Sequence, residues 1–296
     1  MKINFQTSAL IVLLATASVR FAAAQTSALS GTAAQFATLL ASHKADGPNA
    51  RQQLLNKKLL EAVTAANLDD IRRLASMGAD VNAHDDDNFS PLVAAVLRHG
   101  DPATITLLLD LGAQVDLKNA CDTTALHFAA EEGRLQAAKI LVEHHAAVDA
   151  QTCLGATPLV EAAHSLENGQ VEVFSYLLGL GANPNATNDD GESTLLVLVN
   201  TVRTSERNDM LGLILADKRT NVNAHGKDGM TALKYAVKAN DVNTVKLLLQ
   251  VPGIDVNDNA GGTTALFLAD LDQFGDISKL LRAAGANGTL RAARRR

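Results

Sequence analysis

Apolar residues recur along the chain at three- and four-residue steps in short blocks, such as Leu135 to Glu143 and Val242 to Gln250. That spacing gathers them on one face of a helix. Ahead of such blocks runs a shorter, Ala-rich stretch of the kind Phe128-Ala129-Ala130-Glu131-Glu132-Gly133. The shorter stretches open alike: Ser90-Pro91-Leu92, Thr124-Ala125-Leu126-His127, Thr157-Pro158-Leu159, Ser193-Thr194-Leu195, Thr231-Ala232-Leu233 and Thr264-Ala265-Leu266. A Ser or Thr oxygen caps free amides at a helix start, and Pro fits the first turn, which needs no amide donor. The pattern predicts pairs of short helices, repeated many times.

A second string marks the end of each pair: Val81-Asn82-Ala83, Val115-Asp116, Val148-Asp149-Ala150, Pro184-Asn185-Ala186, Val222-Asn223-Ala224 and Val256-Asn257. Successive strings lie 34, 33, 36, 38 and 34 residues apart. Three residues before each sits Gly78, Gly112, His145, Gly181, Arg219 or Gly253, with Gly285 closing the series. Gly permits the left-handed conformation that stops a helix, and His tolerates it better than most residues. Arg219 does not suit it, so the fifth unit is expected to end its helix differently. Aromatics make up only 3% of the chain, with no Trp, which also favours helix over strand.

This order of cap, inner helix, outer helix and Val-Asn turn resembles the ankyrin repeat, from Asn56 to about Ala286. The resemblance implies an all-α ankyrin-repeat solenoid of about seven units including caps, with β-turn fingers. The first unit, Lys57 to Ala83, carries Lys57-Lys58 in place of the Thr-Pro start, as suits an end cap with one face in water. Ala33 to Ser42 reads as an extra capping helix, broken by Asp46-Gly47-Pro48-Asn49. The expected domains are a signal peptide at 1–24, an N-terminal extension at 25–55, the repeats at 56–287 and a basic tail at 288–296.

The signal reading rests on Lys2, the apolar run Ala9 to Ala17 and the small residues Ala22-Ala23-Ala24. The run is shorter than the roughly 20 residues a membrane helix needs. Its removal would take the formal charge from −6 to −8 by loss of Lys2 and Arg20. A nucleic-acid partner is disfavoured by that balance. The expectation is a monomer in the bacterial periplasm or outside the cell, not inserted in the membrane.

Candidate chemistry is sparse. No nucleophile elbow, Walker loop, His-Glu-x-x-His or Cys-x-x-Cys occurs, so neither an enzyme, a metal nor a cofactor is expected. The resemblance implies that His127 bridges backbone groups of neighbouring units. His144-His145 suit the negative end of an outer helix. Cys121 and Cys153 fall in the finger turns of consecutive units. Export permits a bridge between them, but stacked helices sit about 10 Å apart, which favours two free thiols. Asp85-Asp86-Asp87-Asn88 and Asn188-Asp189-Asp190 read as solvated turns or an acidic rim, and Arg291 with Arg294-Arg295-Arg296 as a frayed basic tail. Extra residues at Leu166-Glu167-Asn168 and Val202 to Glu206 read as tolerated loop drift or as a second contact edge.

The resemblance implies protein binding without a cofactor, through a concave face of fingers and inner helices. The variable positions expected there are Asp86, Asp87, Phe89, Leu97, Arg98, Cys121, Glu131, Glu132, Cys153, Leu154, His164, Asp189, Asp190 and Glu192. Phe89 and Leu154 are the expected apolar anchors, with Arg98 beside them. The function expected is a non-catalytic scaffold of the bacterial envelope that binds another protein. A secreted effector acting on a foreign or host protein is the alternative.

Overall fold

A computed structural model describes residues 48–98, 100–164 and 169–287. The expected signal peptide, the helix at Ala33 to Ser42, the insertion Leu166-Glu167-Asn168 and the tail with Arg291 and Arg294 to Arg296 lie outside them. Among the described residues the fold is all-α, with fourteen α-helices, and pairing between extended segments is limited to isolated bridges such as Thr187 with Ser193. The chain divides after Asn119 into two compact units.

The first unit holds α1 (Pro48–Thr64), α2 (Leu68–Ser76), α3 (Pro91–Leu97) and α4 (Pro102–Asp110). Ser90 caps α3 by accepting from Val93 N at 3.3 Å, and Asp101 caps α4 by accepting from Thr104 N at 2.9 Å. Pro48 opens α1, and no break occurs at the expected domain boundary of residue 56, which falls inside this helix. Pro at a first turn starts a helix as readily as it ends one. Leu59, Ile71, Leu74, Leu92, Ile105 and Leu108 form the buried seam of this unit.

The second unit stacks α5 (Ala125–Glu131) and α6 (Leu135–Glu143), α7 (Pro158–His164) and α8 (Gln170–Gly179), α9 (Thr194–Asn200) and α10 (Ser205–Ala216), α11 (Ala232–Lys238) and α12 (Val242–Leu249), then α13 (Ala265–Leu271) and α14 (Gly275–Ala283). Odd-numbered helices pack on one another in sequence, α5 on α7, α7 on α9, α9 on α11 and α11 on α13. Ala at 129, 130, 162, 163, 236 and 269 lets the backbones of the inner helices approach, and all six are buried. Thr157, Thr231 and Thr264 cap as the sequence predicts, whereas the Ser193 hydroxyl is buried without a partner.

Gly78, Gly112, Gly181, Gly253 and Gly285 take φ between 84° and 95°, and His145 takes 67°. The fifth repeat does end differently. α10 stops at Ala216, Asp217 turns extended, its carboxylate accepts from Arg219 N at 2.9 Å, and Arg219 donates to the Leu178 carbonyl at 3.1 Å.

The Val-Asn string proves to be a clip between neighbouring repeats. Asn82 Nδ2 donates to the Gly112 carbonyl at 3.2 Å while its Oδ1 accepts from Gln114 N at 2.8 Å. Asn185 clips Arg219 O and Asn221 N, Asn223 clips Gly253 O and Asp255 N, and Asn257 clips Gly285 O and Asn287 N. Gln52 and Asn56 share the same task on α1, at Gly78 O and Asp80 N. Only an amide carries both donor and acceptor at this reach, so Asp149 makes the accepting half alone, from Asn183 N at 2.9 Å. Asn223→Ala is expected to lower stability by about 1 kcal/mol, read by urea unfolding. A loss too small to measure would mean that water replaces the clip.

One register position next to these clips is filled in two ways. His127 Nδ1 accepts from Thr124 N at 3.2 Å, which leaves Nε2 to donate to Ala150 O at 3.0 Å and Ala156 O at 3.2 Å. In the sixth repeat Lys234 stands there, 1% exposed, donating to Asp258 and to Ala260 O at 2.7 Å. Asp258 also accepts from His225 at 2.7 Å. Burial works to raise the Asp258 pKa, but the hydrogen bonds from Lys234 and His225 overcome it and hold the carboxyl below its ordinary value.

Candidate functional site

Four of the fingers are short hairpins, each closed by one backbone pair: Asp85 N to Phe89 O, Thr152 N to Ala156 O, Asn188 N to Glu192 O and Gly226 N to Met230 O. Side chains at the first position pin the tip. Asp85 Oδ1 accepts from Phe89 N at 2.7 Å, Thr152 Oγ1 from Ala156 N at 3.2 Å and Asn188 Oδ1 from Glu192 N at 2.9 Å. Asp85 is half-buried, and burial raises its pKa despite the hydrogen bond from Phe89.

In the first unit Asp86 and Asp87 are exposed at the fingertip, and Leu97 and Arg98 are half-buried at the end of α3. Phe89 corrects the expectation of an exposed apolar anchor, being only 3% exposed. The residue before the helix cap turns inward, as Ala156 and Glu192 also do. Its ring therefore serves the core.

In the second unit the fingers lie side by side. Cys153 N donates to Cys121 O at 2.8 Å, and Asp189 N donates to Leu154 O at 2.8 Å. Cys121 and Cys153 form a disulfide with Cα atoms 4.9 Å apart, against the expectation of two free thiols. The helix spacing of about 10 Å does not apply to the fingers, whose backbones pair at the separation of neighbouring strands. This arrangement brings together Cys121, Cys153, Leu154, Asp189 and Asp190. Cys153, Asp189 and Asp190 are exposed, and Leu154 presents 46% of its surface to solvent.

Glu131, Glu132 and His164 are half-buried along the inner helices, with Glu132 3.7 Å from Arg134. Glu192 is 8% exposed and accepts from Asn200 Nδ2 at 3.0 Å. Burial, chiefly, raises its pKa. It therefore supports its finger and offers little surface to a partner.

Glu161 is absent from the sequence-derived set. It occupies the register of α7 where other inner helices carry Phe128, Val197, Tyr235 and Leu268. An acid at an otherwise apolar or aromatic register is the signal that points to it. Burial between α5 and α9 raises its pKa to about 7, while burial lowers that of His164, whose Nδ1 lies 3.9 Å from the carboxyl. The folded chain thus holds the Glu161 proton more tightly than the ordinary value of 4.5. Stability from this group is full below that value and is lost as pH rises through the folded value. Glu161→Gln is expected to match the native chain near pH 4.5 and to exceed it by about 3 kcal/mol at pH 8. Parallel stability curves across that range would contradict this.

Among the described residues no cluster of three or more His, Cys, Asp or Glu could hold a metal, and no helix is long and apolar enough to cross a membrane. The family described as ankyrin repeats (3 copies) matches residues 92–188 and 199–292. The chain belongs to the ankyrin-repeat family. It is 30% identical over 207 residues to the neurogenic locus notch homolog protein 1 of Xenopus laevis, covering 64% of this chain and 8% of that protein. It is 27% identical over 164 residues to an ankyrin repeat protein of fowlpox virus (strain NVSL), covering 54% and 47%. A palmitoyltransferase of Lachancea kluyveri is 29% identical over 195 residues, covering 64% and 26%. The chain thus spans less than half of these relatives. Proteins of this family typically bind other proteins and do not catalyse reactions.

Proposed function

We propose that the chain is a monomeric, non-catalytic adaptor of the bacterial periplasm or cell exterior, which grips another protein with the fingers and inner helices of residues 120–287. The observation that carries this reading is Leu154, an exposed apolar side chain on a finger cross-linked to its neighbour through Cys121 and Cys153. A partner buries such a side chain against backbone that is already ordered, so little entropy is lost on binding. Asp189 and Asp190 beside it favour encounter with a basic patch. Export is supported by the arrangement of Lys2, the apolar run and the small residues before Gln25. The disulfide supports it too, since such bridges persist in oxidising compartments.

Cross-linking and capture from the native envelope, comparing the native chain with Leu154→Asp, tests the reading. The expected result is loss of the captured partner with unchanged helix content. Equal capture by both would remove the finger face from the interface. Recovery of the protein with cytoplasmic markers would remove the location.

A further inference from the structure

The outer helices of the second unit carry a separate feature. α6, α8 and α10 frame a groove of about 740 Å³ on the side away from the inner helices. α8 turns Val173, Phe174, Leu177 and Leu178 into the core, so Val171, Ser175 and Tyr176 face outward into the groove. Leu135 of α6 and Leu213 of α10 complete apolar walls, and Gly212 and Ser175 are too small to fill the floor. A Cβ built on Gly212 would meet nothing within 4 Å.

The rim is acidic. Glu172 and Asp209 are exposed and form no ion pair among the described residues. Glu143 lies close enough to act on the Tyr176 hydroxyl. Among the lining residues Lys139 is the one ammonium against Glu172 and Asp209, and it sits 5.9 Å from the centre of the Tyr176 ring. An apolar trough edged by excess negative charge is complementary to a helix with apolar residues at three- and four-residue steps and Lys or Arg beside them. The volume exceeds what one side chain fills and lies in the range of ordinary binding pockets.

We propose that this groove docks a basic amphipathic helix of a partner protein, with a large apolar side chain over Gly212 and Ser175 and cationic neighbours against Glu172 and Asp209. The site is independent of the finger face, so the chain holds two partners on opposite sides of the same helix pairs. Such an arrangement suits an adaptor that joins one protein to another.

The probe is a synthetic amphipathic peptide of about fourteen residues, four helical turns, with Leu on one face and Lys on the other. A counterpart carries Glu in place of Lys. Binding to the full chain is followed by fluorescence anisotropy. Gly212→Leu fills the trough without a clash, and its melting temperature is expected not to fall, because Gly is a poor helix former. The Lys peptide is expected to bind the native chain and to lose about tenfold in affinity with Gly212→Leu and with Glu172→Gln plus Asp209→Asn. Leu154→Ala is expected to leave its affinity unchanged. Equal binding to the native chain and Gly212→Leu overturns the proposal, as does equal binding of the two peptides. A loss with Leu154→Ala as large as with Gly212→Leu would place the peptide on the fingers and overturn it as well. A dimer of the native chain that Gly212→Leu dissolves would make a second copy the occupant, and the partner helix would then be ruled out.

Discussion

Arg207→Ala is expected to lower the free energy of unfolding by about 3–5 kcal/mol. The guanidinium is 1% exposed and is the largest fully buried side chain described. It donates to Leu198 O at 2.7 Å and Val199 O at 3.2 Å at the end of α9, and to Asp241 and Thr244 Oγ1, each at 3.1 Å, at the start of α12. Together with Thr201 Oγ1, which donates to Val197 O and Leu198 O, this side chain serves the open carbonyl end of one helix and joins it to the capped start of another. Truncation takes away the donor to the Val199 carbonyl, leaves Leu198 O to Thr201 Oγ1 at 2.8 Å, and leaves Asp241, only 5% exposed, with Arg203 at 3.4 Å as its ion-pair partner. Burial works to raise the Asp241 pKa, and the hydrogen bonds from Thr244 with the charge of Arg207 bring it below its ordinary value. Urea unfolding followed by circular dichroism reads the loss. Arg207→Met combined with Asp241→Asn is expected to recover part of it, because no buried charge is then left unpaired. A loss under about 1 kcal/mol, the worth of an exposed ion pair, would show that solvent reaches the site.

The second large effect belongs to the disulfide. Cys121 and Cys153 are 32 residues apart, and a loop of that length restricts the unfolded chain by about 3–4 kcal/mol in the chain-entropy account. Cys153→Ser is expected to lower stability by that order while leaving the helices in place. Adding a reductant should lower the melting temperature of the native chain and leave that of Cys153→Ser unmoved. If reductant shifts both equally, the bridge contributes nothing to stability.

The helix pairs are legible in the sequence because their signals are local. A cap at Thr264, a stop at Gly253 and an apolar step through Leu248 each depend on residues within one turn. The period then adds the packing, since within residues 120–287 each inner helix packs on the next. The site is legible only in part. Leu154 and the acidic tips at Asp86, Asp87, Asp189 and Asp190 are exposed as turn residues should be. Phe89 escapes that rule because a place in a turn does not guarantee exposure, and the backbone pair with Asp85 rotates the ring inward. The bridge escapes it because helices and fingers do not share one spacing. Glu161 shows in the sequence only once the repeats are set in register. Arg207 and Lys234 are hidden for another reason: each answers to a partner tens of residues away, which no local pattern encodes.

The pairing of Lys234 with Asp258 has a consequence for how the array can be rearranged. Where His127 stands, a neutral ring needs only main-chain oxygens, which any successor provides. Lys234 requires an anion from the hairpin that follows it. Excising or transposing that hairpin would strand an ammonium in the interior, so the modules are not freely interchangeable bricks. Their order is enforced by electrostatic addressing between consecutive members.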